Sequence, residues 1–181
     1  MPVKCFAALV MVLFSLLSAA GCAVNPVTGQ QQLMLLSEQD EFRLGSQTDQ
    51  AVIDQYGLYL DDGLQDYLQG MGRSMAGISH RPGLAWQFKV MDSSVVNAFA
   101  APGGYVYVTR GLLAAINDEA ELAGILGHEI GHVTARHSAQ RYSNMMLTNI
   151  GLSLGQEFLG GYGDMLGTVL ETGAGLLFLK F

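Results

Sequence analysis

The chain has 181 residues and a mass of 19.4 kDa, which suits a single domain with a sizeable hydrophobic core. Half of the residues are hydrophobic and 14% are charged, an apolar balance for a globular protein. Sixteen acidic residues against nine basic ones give a formal net charge of −7. This charge argues against nucleic-acid binding, which needs clustered cations, and against electrostatic adhesion to anionic lipid.

The N-terminal residues have the pattern of a targeting signal. Lys4 supplies a positive charge, residues 5–20 are apolar, and small residues precede Cys22. The segment resembles the lipobox of bacterial lipoproteins, in which the cysteine after the cleavage site carries the lipid. We therefore predict a signal peptide over residues 1–21, lipidation at Cys22, and a membrane anchor facing the periplasm, in the outer rather than the inner membrane. An ordinary secretory signal and an uncleaved anchor are the alternatives, although the apolar run is short for a spanning helix.

The rest of the chain divides into a short linker and one domain. Residues 22–36 are predicted to be a tether, because Asn25-Pro26 and Thr28-Gly29 are turn signals. The domain is predicted over residues 37–181. Within it, residues 151–175 are rich in glycine and large apolar residues, which suits close-packed helices or a surface that inserts shallowly into a membrane. No uncharged run there is long enough to span a bilayer.

Capping residues predict where the helices begin. Ser37 opens a helix, with Asp40 three positions later in a capping-box arrangement. A second helix starts at Asp61 or Asp62, and Asn117 is predicted to cap a later, long helix. Apolar residues recur at helical spacing in the second helix and predict a stripe that faces the core: Leu64, Leu68, Met71, Met75 and Ile78.

Alternation of apolar and polar residues predicts strands between these helices. Trp86, Phe88 and Val90 alternate with polar residues, which is typical of a half-buried strand. Residues 97–101 and 105–108 flank a Pro-Gly-Gly turn and predict a β-hairpin. The pattern therefore favours an α+β domain that is mostly helical, with a small antiparallel sheet.

Three residues of the long helix carry the clearest chemical signal. His128, Glu129 and His132 form the pattern HExxH. Four residues advance a helix by about 400°, so the imidazoles lie about 40° apart on one face. That spacing lets both bind one Zn²⁺, and Glu129 can act as general base for the attacking water. Two buried histidines with ordinary hydrogen bonds are the structural alternative.

A catalytic zinc site needs a third protein ligand. The metzincin pattern requires glycine at 135 and histidine at 138, and Ala135 and Ser138 exclude that class. His137 follows His132 by five residues, about 140° around the helix, and is predicted to lie beside the site or on the surface. The remaining possibility for the third ligand is a glutamate from a later helix, which is the gluzincin arrangement.

Several segments together resemble a known family: Asn25-Pro26-Val27-Thr28-Gly29, Val96-Asn97-Ala98-Phe99-Ala100, Gly103-Gly104 and Gly127-His128-Glu129-Ile130-Gly131-His132-Val133. They are similar to the bacterial lipoprotein branch of metallopeptidase family forty-eight, which has CAAX prenyl proteases and the mitochondrial Oma-type protease as relatives. The resemblance implies a zincin-like gluzincin fold with HExxH on the central helix. It also implies that His128 and His132 bind one Zn²⁺ per subunit and that Glu129 is the base.

The resemblance makes two further predictions. A strand along the cleft would pair with the substrate backbone, and it would be formed by Asn97, Ala98, Phe99 and Ala100. Edge strands bind extended peptides in this way, and a purely structural hairpin is the alternative. The third ligand of the family is a glutamate that is expected beyond Phe181, so the domain over residues 37–181 is predicted to be incomplete at its C-terminus. Glu171 is the alternative ligand.

These observations predict a zinc-dependent metalloendopeptidase that hydrolyses internal peptide bonds. Envelope proteins are the expected substrates and protein quality control the expected role, both by family analogy. The predicted partners of the protein are protein or peptide substrates and the membrane, which it would contact through the lipid anchor. A non-catalytic zinc-fold chaperone or assembly factor, and an inactive fragment, are the alternatives.

Overall fold

The computed structural model describes residues 22–159. Their strands and helices follow in the order β1 (Cys22–Val24), β2 (Gln31–Leu33), α1 (Glu38–Tyr56), α2 (Asp62–Ala76), β3 (Gln87–Met91), β4 (Ala98–Ala101), β5 (Tyr105–Thr109), α3 (Arg110–Leu113), α4 (Glu119–Thr134) and α5 (His137–Leu159). The predicted signal peptide and Glu171 lie outside the described residues. Among the helices described, none combines the length and apolarity needed to cross a membrane.

Side-chain caps start the first two long helices as predicted. The hydroxyl of Ser37 accepts from the N–H of Asp40 at 3.2 Å, and the Asp40 carboxylate accepts from the N–H of Ser37 at 3.0 Å. These two bonds satisfy N–H groups that have no partner inside the helix. Asp61 caps α2 by accepting from the N–H of Leu64 at 3.0 Å. The capping box at Ser37 and the start of α2 are therefore confirmed.

The start of α4 differs from the prediction by one residue. Asp118, and not Asn117, is the N-cap, with its carboxylate accepting from the N–H of Glu121 at 2.9 Å. Asn117 instead donates its backbone N–H and its side-chain amide to the carboxylate of Glu121. Asn117 therefore lies one residue before the N-cap, where it is hydrogen-bonded to Glu121.

The apolar stripe of α2 faces the core along most of its length. Leu68 is fully buried, and Leu64, Met71 and Met75 pack against the core. Ile78 is 90% exposed, because α2 ends at Ala76 and the helical spacing no longer applies beyond that residue. The prediction is wrong for Ile78 and confirmed for the other four positions.

The principal sheet has three strands in the order β3-β5-β4. β4 and β5 are the predicted antiparallel hairpin, but β3 pairs with β5 in parallel. Residues 92–97 carry the chain across to the far edge of β5, so that β5 inserts between β3 and β4. The sheet is therefore mixed, and the antiparallel prediction is wrong for β3. Phe88 and Val90 are buried, as their alternation predicted.

The sheet lies between helices on both faces. One face packs against α2 and α4 through a cluster that includes Leu68, Phe88 and Leu126. The other face packs against α1, where Val52 meets Phe99 and its neighbours on the sheet. This arrangement of helices around a small sheet fixes α4 beside β4.

Residues 22–36, the predicted tether, contact the domain along much of their length. β1 and β2 form an antiparallel pair. Asn25 is 4% exposed, and its side-chain amide donates to the carbonyl of Ala135 at 3.2 Å. The N–H of Leu35 donates to the hydroxyl of Ser143 at 3.0 Å. Since buried polar groups need such partners, the segment is held against the region where α4 meets α5.

Candidate active site

Helix α4 carries the HExxH residues and is anchored by its apolar face. Its buried apolar residues belong to the core: Leu122, Leu126, Ile130 and Val133. This anchoring leaves His128 at the surface and His132 half-buried, while Glu129 is 1% exposed. The helix therefore presents the two imidazoles on one side, as the spacing predicted.

The two imidazoles converge on one point. The Nε2 atoms of His128 and His132 lie 3.0 Å apart, and the rings meet nearly at right angles, with centroids separated by 4.6 Å. Two nitrogens that bind one tetrahedral zinc at its usual distances are about 3.3 Å apart. The pair is thus close to the geometry in which both nitrogens bind the same ion.

The carboxylate of Glu129 is buried, and no hydrogen bond from a described residue offsets the loss of its hydration. Both of its carboxylate oxygens are buried, and neither has a hydrogen-bond partner among the described residues. Burial raises the pKa of Glu129 to about 7. A carboxylate in this state is costly to the fold, and such groups concentrate at functional sites. Together with two converging imidazoles, it is a set of groups that suits a hydrolytic zinc site.

His137 lies next to the site and contacts one of the imidazoles. It is the first residue of α5, and its Nδ1 lies 2.6 Å from the Nδ1 of His132. Burial lowers the pKa of His132, and the nearby His128, His137 and Arg141 lower it further. The contact between the Nδ1 atoms fixes the ring of His132 with its Nε2 towards His128. His137 is thus exposed and in contact with His132, where the sequence predicted a position beside the site or on the surface.

A buried ion cluster, which the sequence did not reveal, holds the C-terminal end of α4. Glu41 of α1 pairs with Arg81 at 2.8 Å and with the Nε of Arg136. Arg81 also donates to the carbonyl of Val133, and Arg136 to that of Leu36. Arg136 has a φ of 58°, a left-handed conformation that is costly for a non-glycine residue. The cluster therefore fixes the sharp turn between His132 and His137.

The predicted cleft strand lies at the edge of the sheet and next to α4. The carbonyl of Asn97 accepts from the N–H of Thr109 at 3.0 Å, so these two residues form a hydrogen-bonded pair. Such pairs alternate along antiparallel strands, which directs the backbone groups of Ala98 and Ala100 away from β5. None of the described strands pairs with that outer edge of β4. The structure thus places the motif beside an open strand edge.

A pocket of about 390 Å³ joins the strand to the motif. Its walls come from the start of β4, from α3 and from α4. The lining residues are Val96, Asn97, Ala98, Leu112, Gly124, Ile125, His128 and Glu129. Val96, Leu112, Gly124 and Ile125 were not predicted as site residues, because their apolar character is indistinguishable from that of core residues in the sequence.

A complete set of metal ligands is not found in the part of the chain that the structure describes. Within residues 22–159, no three histidine, cysteine, aspartate or glutamate side chains are grouped to hold an ion. His128 and His132 are two converging imidazoles, and two side chains do not complete a catalytic zinc site. The predicted alternative ligand, Glu171, lies outside this part of the chain.

Comparison with known proteins identifies the same region. Residues 63–178, more than half of the chain, match Peptidase family M48. The chain is 36% identical over 95 residues to the mitochondrial metalloendopeptidase OMA1 of Arabidopsis thaliana, covering 52% of this chain and 18% of that protein. It is 29% identical over 153 residues to the human mitochondrial metalloendopeptidase OMA1, covering 75% of this chain and 27% of that protein. A putative beta-barrel assembly-enhancing protease of Vibrio cholerae is 35% identical over 80 residues, covering 44% of this chain and 16% of that protein.

The chain spans less than a third of the length of each of these three relatives. The segment that matches the family contains all but the first residue of α2, the three-stranded sheet and the whole of α4 with its HExxH residues. The match therefore covers the elements that build the site. By this match, the chain belongs to peptidase family M48.

Proposed function

We propose that this chain is the proteolytic domain of a zinc-dependent endopeptidase with Glu129 as its general base. The observation that carries the proposal is the buried carboxylate of Glu129. It has no partner among the described residues and lines the same pocket as His128. Membership of family M48 supports the proposal, as do the names of the relatives, which are metalloendopeptidases and proteases.

The residues of the site have separate roles in peptide hydrolysis. His128 and His132 would hold a zinc ion, which when bound would supply Lewis-acid chemistry at the substrate carbonyl. Glu129 takes a proton from the water that attacks the carbonyl carbon. It then delivers that proton to the amide nitrogen as the C–N bond breaks. His137 keeps the ring of His132 oriented, and a third zinc ligand would come from outside residues 22–159.

Binding of the substrate backbone is assigned to β4. Ala98 and Ala100 direct backbone N–H and C=O groups to the open edge, where an extended peptide can add as a further strand. Main-chain pairing of this kind accepts many sequences. It suits an enzyme that acts on unfolded segments of diverse proteins, as expected for protein quality control.

The bacterial envelope is the proposed location. The names of relatives from Vibrio cholerae and Yersinia pestis refer to beta-barrel assembly, and a lipobox-like segment precedes Cys22. The domain would then be anchored through lipid on Cys22 and would act on envelope proteins. The first strand that the structure describes begins at Cys22 itself, so the anchor would lie directly beside the folded domain.

The activity is tested with the full-length protein and unfolded casein as the probe. We expect fragments from cleavage at internal bonds, loss of cleavage after chelation of the metal, and recovery on addition of Zn²⁺ but not of Mg²⁺. Casein that is kept soluble and intact by the zinc-loaded protein would contradict the proposal and indicate a chaperone instead.

A further inference from the structure

The pocket beside Glu129 has the features of a side-chain site. Apolar walls come from three separate elements: Val96 and Ala98 from the β4 region, Leu112 from α3 and Ile125 from α4. The polar side chains of the lining are Asn97 and the motif residues His128 and Glu129. The chemical groups of the proposed reaction therefore line a cavity whose other walls are largely apolar.

The size and composition of the pocket decide what it can hold. A volume of about 390 Å³ falls within the usual range for small-ligand pockets, about 300–1,000 Å³. The lining has no lysine or arginine, so it offers no partner for an acidic group. The carboxylate of Glu129 would also repel such a group. A large uncharged apolar side chain suits the site best.

The position of the pocket on β4 determines which part of a substrate reaches it. Ala98 both lines the pocket and offers its backbone at the open edge. A peptide paired there directs alternate side chains to one face. Because Glu129 lines the same pocket, the side chain that enters belongs to a residue at the bond that is cleaved.

The wall formed by residues 93–97 is held in place before any substrate arrives. Thr109 is 1% exposed, and its hydroxyl lies within hydrogen-bond distance of the carbonyls of Val95 and Asn97. The N–H of Gly111 donates to the carbonyl of Ser93 at 2.9 Å. A Cβ at Gly111 would lie 2.3 Å from the carbonyl oxygen of Ser94, so only glycine allows this approach. The pocket is thus preformed, which reduces the cost of binding.

From this geometry we propose that the pocket is a specificity site. It selects a large apolar residue on one side of the scissile bond. The inference rests on the proposed peptidase function, and it adds the substrate class that the site prefers: extended segments containing residues such as leucine, methionine or phenylalanine. Segments of this kind are buried in folded proteins and become accessible when a protein fails to fold.

Gly124 provides a direct test. It lines the pocket, and a Cβ built on it would meet no atom within 4 Å. Gly124→Leu therefore adds a side chain that can occupy the pocket, and Gly124→Ala is the smaller change. Gly70 on α2 is the matched control, because it is a helical glycine with equally open surroundings and lies outside the pocket. Thermal unfolding of each variant reports whether the fold is intact.

The experiment uses the zinc-loaded full-length protein and peptides that differ at one position, which carries leucine, alanine or aspartate. Sites of cleavage are mapped by mass spectrometry. We expect kcat/KM to be at least about tenfold higher for leucine than for alanine at one position flanking the cleaved bond, and lowest for aspartate. Gly124→Leu should lower kcat/KM for the leucine peptide at least about tenfold, with a smaller loss for the alanine peptide. Gly70→Leu should match the wild type.

The failure of this inference is distinguishable from failure of the proposed function. Cleavage without preference at either flanking position, or an unchanged preference in folded Gly124→Leu, would overturn the specificity site and leave the peptidase in place. If the wild type cleaves no peptide faster than Glu129→Gln, the peptidase proposal fails. The pocket is then judged by fluorescence anisotropy of the same peptides on Glu129→Gln protein. If the leucine peptide binds the Glu129→Gln protein no more tightly than the aspartate peptide, the specificity site is overturned in this case as well.

Discussion

Replacing Glu41 by glutamine should be among the most damaging single changes to the fold. The substitution keeps the size of the side chain but removes the charge that balances two arginines. The side chain of Glu41 is 2% exposed, and those of Arg81 and Arg136 are 7% and 11% exposed. After the substitution Arg81 keeps the exposed carboxylate of Glu38 as an ion-pair partner, and Arg136 keeps its hydrogen bond to the carbonyl of Leu36.

The expected magnitude follows from this burial. Removing one member of a buried ion pair typically costs about 3–5 kcal/mol, because the remaining charge is left uncompensated. The amide oxygen of glutamine can still accept one hydrogen bond, so we expect a loss near the lower end, about 3 kcal/mol. The free energy of unfolding of a domain is about 5–15 kcal/mol, so the loss is a large fraction of the total.

Glu38 offers a matched control within the same cluster. It pairs with Arg81 at 3.2 Å, but its side chain is 73% exposed. Exposed pairs contribute about 0–1 kcal/mol, so Glu38→Gln should leave stability nearly unchanged. Urea unfolding measures both variants, with an unchanged m-value showing that the unfolded states are comparable. Equal and small losses for Glu41→Gln and Glu38→Gln would refute the reasoning from burial.

Two further predictions concern packing and the anchor. A Cβ on Gly72 would lie 2.4–2.5 Å from ring atoms of Phe88, so Gly72→Ala should lower the free energy of unfolding by about 1–3 kcal/mol. Gly70→Ala, in the same helix with open surroundings, should raise it by up to about 1 kcal/mol, and a urea titration compares the two. For the anchor, metabolic labelling with a palmitate analogue should mark the wild type and not Cys22→Ser, and equal labelling of both would contradict lipidation.

Local signals in the sequence predicted the parts of the fold that depend on neighbouring residues. The capping box at Ser37 and the burial of Phe88 and Val90 each follow from a few adjacent residues, and all are confirmed. The spacing of His128 and His132 also fixed their common face, since a helix has one repeat. The site residues that a local pattern can encode were therefore accessible from the sequence.

Interactions between distant residues were not accessible in the same way. β3 pairs in parallel because it joins the edge of β5 that the β4-β5 hairpin leaves free. No residue of β3 indicates that it will pair with β5 rather than with β4. Arg136 meets Glu41 from 95 positions away, and the hydrogen bond from Asn25 to Ala135 spans 110. One sequence read alone contains no signal that links such partners. The pocket was missed for a related reason, because Ile125 has the same apolar character as a core residue.

The most direct test of the proposed chemistry measures zinc content and peptide cleavage together in the full-length protein. Glu129→Gln keeps both imidazoles and removes the base. We therefore expect zinc binding like that of the wild type, with cleavage reduced by about 10²–10⁴-fold. His132→Ala should lose zinc as well as activity, because it removes a ligand. A Glu129→Gln protein that binds zinc and cleaves peptides at the wild-type rate would contradict the role of Glu129 as the general base.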